Sequence, residues 1–177
     1  MATNLSDLTL ALRTQLSVIS TLSNNLSAPV DNMTIDDSDS ITFGYDASEC
    51  DQVYYDTITL AGGAATDLDL QDLTNGFGLL AAFGTVKMIL IINRSTEGDG
   101  LEVGGDLVDP FIGWFGDAAD TEIIAPLGKS LHTEFIDGWW TDLGAILQLT
   151  NLDAVTDCKF DIVIVGTDDT EGSSSTP

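Results

Sequence analysis

Few residues in this chain could do chemistry, and the single histidine is the first of them. His132 and Glu134 stand two residues apart in His132-Thr133-Glu134, which puts both on one face of a strand. A cupin-type metal site would need a second histidine where Glu134 stands, and a nucleophilic triad would have to use His132. The sequence contains no nucleophile elbow, Walker A loop or dinucleotide-binding glycine motif. We therefore predict no catalytic residue and no cofactor, and we expect a protein that is not an enzyme.

The pair Trp139-Trp140 is the best candidate for a small-ligand site. Asp137 and Asp142 flank it, and aromatic faces beside carboxylates can hold a sugar. The other interpretation is that these tryptophans, with Trp114, fill a sandwich core or a subunit contact. The sequence leaves both interpretations open.

Metal-binding patterns are weak. The run Asp36-Asp37-Ser38-Asp39 is the best candidate for a Ca²⁺ site, but it lacks the glycine and terminal glutamate of a calcium-binding helix–loop–helix. Cys50 and Cys158 are the only cysteines and belong to no C-x-x-C pair. We predict no metal, and we interpret the cysteines as reduced, buried small residues, although a disulfide between them stays open.

The charge of the chain restricts its partners. It has 29 acidic residues against 5 basic ones, which gives a formal net charge of -24. Such a chain repels the phosphates of nucleic acids and the anionic surface of membranes. No stretch is apolar for the 18 or so residues of a membrane span. We therefore predict no nucleic-acid partner and no membrane partner.

Apolar residues at helical spacing dominate the first 28 residues. They follow the 3-4 spacing of a short heptad seam, and Pro29 comes directly after it. The residues of this stripe are Leu5, Leu8, Leu12, Leu16, Ile19, Leu22 and Leu26. We predict an α-helical arm over residues 1–28 that forms an oligomer or anchors on a capsid. The alternative is that the helix packs on its own domain or lies as a flexible arm.

The rest of the chain has the pattern of a β-protein. We predict an acidic linker over residues 29–40, a β-sandwich domain over residues 41–168 and a disordered tail over residues 169–177. Two runs, 86–93 and 160–165, are nearly continuous in apolar residues, which suits strands covered on both faces or buried at a subunit interface. Turn signals recur about every ten residues, as in a sandwich or barrel. Candidate strands are 41–45, 52–61, 65–70, 86–93, 101–104, 111–115, 121–126, 130–136, 145–150 and 159–166.

Residues 72–167 resemble a group of small structural proteins of tailed viruses that infect bacteria or archaea. The residues that carry the resemblance are Leu73-Thr74-Asn75-Gly76-Phe77-Gly78, Phe83-Gly84-Thr85-Val86-Lys87, Leu101-Glu102-Val103-Gly104-Gly105 and Phe160-Asp161-Ile162-Val163-Ile164-Val165-Gly166-Thr167. The resemblance implies a mainly β fold, a jelly-roll-like β-sandwich, in a trimer without an active site.

The expected function follows from that resemblance. We expect a non-enzymatic virion structural protein, a trimeric capsid decoration (cement) protein that binds the major capsid protein on the capsid exterior. One alternative is a carbohydrate- or receptor-binding module of a virion tail or fibre, with Trp139 and Trp140 as its platform. The other is a small jelly-roll hydrolase or cupin-like enzyme that uses His132.

Overall fold

The computed structural model describes residues 9–21, 30–43, 49–74, 78, 80–104, 108–112, 120–128, 130–142 and 144–168. These residues form strands and no helix, so the prediction of a mainly β fold is confirmed. The strands in chain order are β1 (Thr9–Thr21), β2 (Val30–Phe43), β3 (Glu49–Cys50), β4 (Gln52–Leu60), β5 (Ala65–Asp69), β6 (Leu73–Thr74), β7 (Leu80–Ala81), β8 (Thr85–Asn93), β9 (Leu101–Gly104), β10 (Thr121–Ile124), β11 (Ser130–Trp140), β12 (Ile146–Asn151) and β13 (Cys158–Thr167).

Two four-stranded antiparallel sheets form the body of the protein. Sheet I has the strand order β11-β8-β13-β4, and sheet II has the order β10-β9-β12-β5. One continuous buried cluster joins them, with Ile89 and Ile162 from sheet I and Val103 and Leu149 from sheet II. Strands β9, β12 and β13 alternate buried and less buried residues, as expected where one face of a sheet covers a core.

Most strands of the body lie where the sequence predicts them. The predicted strands 52–61, 65–70, 86–93, 101–104, 145–150 and 159–166 correspond to β4, β5, β8, β9, β12 and β13, with ends shifted by at most one residue. Predicted strand 111–115 differs, because Pro110 makes only an isolated bridge to Ile146, residues 111–112 belong to no strand, and residues 113–115 lie outside the described residues.

The N-terminal segment differs from the predicted helical arm. Residues Thr9–Thr21 form strand β1, which pairs with β2 in one antiparallel register from Thr9 opposite Thr42 to Thr21 opposite Val30. The predicted linker 29–40 therefore lies largely inside strand β2. Serine, threonine, valine and isoleucine, which favour strands or turns over helices, fill much of the 9–21 segment. The ends of the apolar stripe, Leu5, Leu8, Leu22 and Leu26, lie outside the described residues, as does the tail 169–177.

Two buried asparagines fix the loops at one end of the sandwich. The Asn93 side-chain amide donates to the carbonyl of Ile124 at 2.9 Å, and its oxygen accepts from the N–H of Ser95. The Asn151 amide donates to the carbonyl of Thr156 at 2.8 Å and to that of Ala61 at 3.1 Å. These bonds give the two buried side chains their hydrogen-bond partners and connect the loops to the strands that carry the asparagines.

A β-bulge interrupts the pairing of β11 with β8. The register shifts between Glu134 and Trp139, and Gly138 within this stretch has a φ of 77°. A Cβ atom at Gly138 would overlap the side chain of Thr85 on the neighbouring strand. Glycine is therefore required here both by its backbone conformation and by the close approach of the two strands.

Candidate interaction face

The outer face of sheet I, turned away from the shared core, is mainly apolar. Its residues follow from the strand register, since residues opposite each other on paired strands point to the same side of a sheet. Across β8, β13 and β4 they form three rows, Met88–Val165–Val53, Leu90–Val163–Tyr55 and Ile92–Asp161–Thr57. A sandwich sheet that meets only water carries polar residues at such positions. This set of nine residues is called the sheet I face below.

The sheet I face is closed at one end and open at the other. Met88 and Val165 are buried there in a small cluster with Cys50, which lies on β3 at the base of the N-terminal hairpin. Towards the open end, Leu90, Ile92 and Val163 are only partly buried, and Tyr55 remains 49% exposed. A shallow depression of about 390 Å³ lies beside Tyr55 and Val163. Apolar side chains therefore line an accessible surface at this end.

The only acidic residue in the three rows is held in an ion pair. The Asp161 carboxylate accepts a hydrogen bond from Arg94 Nε at 2.6 Å and another from the Thr57 hydroxyl at 2.8 Å. The hydrogen bond from Arg94 and that from Thr57 lower the pKa of Asp161. Because Arg94 balances this carboxylate, the nine residues of β4, β8 and β13 carry almost no net charge, in a chain whose net charge is -24. Edge strand β11 continues the first row with Glu134, which lies opposite Met88 in the register.

The outer face of sheet II has the opposite character. Its register places Asp67 opposite Gln148, and Thr150 opposite Ala65 on one side and Glu102 on the other. The Gln148 amide donates to Asp67 at 2.9 Å, and the Thr121 hydroxyl donates to Glu102 at 3.1 Å. The apolar residues on this side include Ile123, which is 55% exposed on edge strand β10, and Ile146, which is partly buried on β12. This face is mainly polar and carries acidic residues.

A buried carboxylate lies beside the closed end of the sheet I face. Asp51 is 5% exposed, and its Oδ1 accepts from the N–H of Asp168 at 3.1 Å. Burial, and then the nearby charge of Asp168, raise the pKa of Asp51 to about 6. The Asp51 N–H donates to the carbonyl of Gly166. These bonds connect the start of β4 to the end of β13.

The structure separates the two predicted ligand tryptophans. Trp139 is partly buried and packs against the shared core, while Trp140 is 53% exposed. Consecutive residues of a strand face opposite sides, so the two rings do not form one platform. Each of the two earlier interpretations therefore fits one ring, because Trp139 contributes to the core and Trp140 is accessible to a ligand. Asp142, near Trp140 in sequence, is exposed.

Among the other candidate residues, the structure describes the side chains of the two cysteines and the backbone register of His132 and Glu134. Strand β11 places His132 opposite Leu90 and Glu134 opposite Met88 on β8. For residues 130–137 the structure describes the backbone and not the side chains. Cys50 and Cys158 are both buried, are not joined by a disulfide and belong to separate apolar clusters. The part of the chain that the structure describes holds no group of three or more histidine, cysteine or acidic residues that could bind a metal ion.

The strands that form the sheet I face are predictable from the sequence, whereas the grouping of their outward residues into one face is not. The continuous apolar runs in β8 and β13 predict burial on both sides or a subunit interface, and both strands contribute outward apolar residues. Tyr55 and its place in the face were missed. The signal was the imperfect alternation of Val53-Tyr54-Tyr55, in which an aromatic residue occupies each side of edge strand β4.

Comparison with known proteins assigns no family. Neither a scan against protein-family models nor a search of the curated proteins finds a match to this chain. Within the described residues, no helix has the length and hydrophobicity needed to cross a membrane.

Proposed function

We propose that this protein is a virion structural protein, a capsid decoration protein that assembles as a trimer and binds the major capsid protein on the capsid exterior. We expect it to have no enzymatic activity. The observation that carries the proposal is the asymmetry of the body, in which the outward residues of β4, β8 and β13 in sheet I are mainly apolar and those of sheet II are mainly polar and acidic. A protein that coats a shell needs one adhesive side and one soluble side.

The order of the strands supports a jelly-roll fold for the body. The eight main strands are β4, β5 and β8 to β13 in chain order. Sheet I combines the first, eighth, third and sixth of them, and sheet II the second, seventh, fourth and fifth. This arrangement is that of two interlocked Greek keys, and capsid proteins are among the proteins built on it. Proteins with many different functions share this fold, so the fold is consistent with the proposal and does not by itself assign the function.

The distribution of charge fits the same role. A net charge of -24 keeps the free protein soluble and away from packaged nucleic acid. Association through a neutral apolar face avoids bringing carboxylates together, and three copies bound together gain from multivalency. Repulsion between copies decreases with salt, because screening lengths fall to about 3 Å at 1 M.

Location on the particle tests the proposal directly. Particles of the virus that encodes this chain are labelled with antibodies against the full-length protein and imaged by electron microscopy. Label distributed over the capsid exterior is the expected result. Label confined to the tail or fibres would replace decoration with the receptor-binding alternative, and particles without label would overturn a virion role.

The alternative, a carbohydrate- or receptor-binding module of a tail or fibre, rests on Trp140. An indole that is 53% exposed beside an exposed Asp142 can stack on a sugar ring. Glycan-array binding that is present in the wild-type protein and lost in Trp140→Ala would favour this function. Tyr55→Ala, which removes an aromatic residue of similar exposure from the sheet I face, is the matched control.

A further inference from the structure

Two residues cover the closed end of the sheet I face. Cys50 is fully buried and packs in one cluster with Met88 and Val165, which belong to the row that this end removes from water. It is the last residue of β3, a strand of two residues that pairs in parallel with the end of β2. Asp51 follows it and leads into β4. Cys50 and Asp51, called the cover below, therefore connect a buried contact on the face to the edge strand of the sheet.

Hydrogen bonds of Asp51 tie the cover to the end of strand β13. The Asp51 N–H donates to the carbonyl of Gly166, and its Oδ1 accepts from the N–H of Asp168, both at 3.1 Å. The residue is only 5% exposed although it carries a carboxyl group. A buried polar group is costly unless it is hydrogen-bonded, so the cover stays in place only while this arrangement is favourable.

Among the described residues, Asp168 is the charged group that acts on Asp51. A side-chain hydrogen bond joins the two carboxyl groups, and the charge of Asp168 opposes the ionisation of Asp51. From β4, the uncharged side chain of Gln52 also bonds to Asp51. Lys87 is buried on β8, which strand β13 separates from β4, and the side chain of Glu49 on β3 lies outside the described residues. The cover is therefore held at a pair of carboxyl groups.

The protonation of this pair decides how firmly the cover is held. When Asp51 is protonated, its O–H can donate to the Asp168 carboxylate, which adds a hydrogen bond. When Asp51 is ionised, the same contact holds two negative charges together at a buried place. We propose that the cover is a pH-dependent lid on the sheet I face, which stays closed while Asp51 is protonated and opens more often once Asp51 is ionised.

The direction of the pH effect follows from proton linkage. Burial, and then the charge of Asp168, raise the pKa of Asp51 to about 6 in the closed state, whereas an opened Asp51 has an ordinary carboxyl pKa. Opening therefore releases a proton and is favoured as the pH rises from about 4 to about 6.

Opening of the cover would enlarge the apolar surface of the sheet I face. Met88 and Val165 form the row next to Leu90 and Val163, so their exposure extends the open end of the face. A larger apolar area strengthens association with a partner that buries it. This use of the cover rests on the proposed function, whereas the opening itself is a property of the chain alone.

Thiol labelling of the full-length protein tests the inference, with Cys50 as the reporter of the cover. Cys50 and Cys158 are both buried, so each reacts with a thiol reagent only after an opening that exposes it, and Cys158 in the shared core reports the opening of the body. Labelling rates are located by peptide mass mapping and divided by those of the urea-unfolded chain at the same pH. We expect the protection of Cys50 to fall at least about tenfold from pH 4.5 to pH 7.5, and to be lower than that of Cys158 at pH 7.5.

Asp51→Asn assigns the effect to this carboxyl group. The amide keeps a donor for the Asp168 carboxylate and removes the second charge, so we expect Cys50 in this variant to keep its low-pH protection at pH 7.5. Asp153→Asn removes a carboxylate from the loop 152–157, changes the net charge equally, and should follow the pH dependence of the wild type.

Three results would overturn the lid. They are equal protection of Cys50 and Cys158 at pH 7.5, protection of Cys50 that does not change with pH, and the same pH dependence in Asp51→Asn as in the wild type. Because labelling uses the protein alone, each of these results leaves the proposed function standing. Virus particles without antibody label would overturn the proposed function and leave the lid unaffected.

Discussion

The two outer faces of the sandwich have opposite chemistry although both belong to antiparallel sheets over one core. Sheet II presents Asp67, Glu102 and Gln148, and sheet I presents Leu90, Val163 and Tyr55. The inner faces of both sheets contribute apolar side chains to one buried cluster. The stability of the body is sufficient to explain why these inner residues are apolar. The difference between the outer faces is the observation on which the proposed interaction with another molecule rests.

The largest expected effect would show that the inner faces are equivalent. Ile162→Ala on sheet I and Leu149→Ala on sheet II each remove a fully buried side chain. We expect each to lower the free energy of unfolding by about 2–5 kcal/mol, measured by urea denaturation. Asp67→Ala, at an exposed position, should change it by less than about 0.5 kcal/mol. A large loss from only one of the two core variants would contradict a single shared core.

The next effect would separate the outer faces. Val163→Asp places an uncompensated carboxylate in the sheet I face, and Gln148→Asp places the same group on the acidic face of sheet II. We expect the first variant to bind virus particles at least about tenfold more weakly than wild type, and the second to bind unchanged, in cosedimentation. Urea denaturation of both variants separates lost binding from lost folding. Equal binding by two folded variants would remove the functional distinction between the faces.

A smaller effect concerns the carboxylate beside the closed end of the sheet I face. Because the pKa of Asp51 is raised to about 6 in the folded protein, the folded state binds its proton more tightly than the unfolded chain does. The stability from this group is fully present below about pH 4 and is lost as the pH rises through about 6. We expect Asp51→Asn to be more stable than wild type by about 1–2 kcal/mol at pH 7.5, with no difference near pH 3.5.

Asp153→Asn is the control with the opposite sign. Hydrogen bonds from the backbone N–H groups of Thr156 and Val155 lower the pKa of Asp153, so its contribution is present at neutral pH and is lost as the pH falls through the folded pKa. We expect this variant to be slightly less stable than wild type at pH 7.5. Denaturation curves of both variants across the pH range provide the measurement, and a shift of the same sign in both would contradict the assignment.

The smallest effect tests the neutrality of the sheet I face. Arg94→Gln removes the cation that pairs with Asp161, so the pKa of Asp161 should rise towards its ordinary value, measured by NMR titration of its carboxyl carbon. The ion pair is partly exposed, and we expect stability to change by no more than about 1 kcal/mol. An unchanged titration of Asp161 would show that Arg94 does not balance this face.

The strands of the body were predictable because the signals that define them are local. Apolar alternation and turn residues mark β4, β5, β9 and β12, and continuous apolar runs mark β8 and β13. The N-terminal segment was not predictable in the same way. Its leucines also fit helical spacing, and Leu10, Leu12, Leu16 and Val18 alternate equally well as a strand. Pairing with β2 over 13 residues favours the strand, and nothing within the segment itself reveals that partner.

The sequence by itself determined that this chain is an acidic β-protein with two strands too apolar for an ordinary solvent-facing sheet. The tertiary structure decided which residues share a surface. The row that joins Tyr55, Leu90 and Val163, the separation of Trp139 from Trp140, and the burial of Asp51 beside Asp168 all depend on register between distant strands. Period and composition are properties of neighbouring residues, whereas a face forms only when hydrogen bonds align residues that lie far apart in the chain.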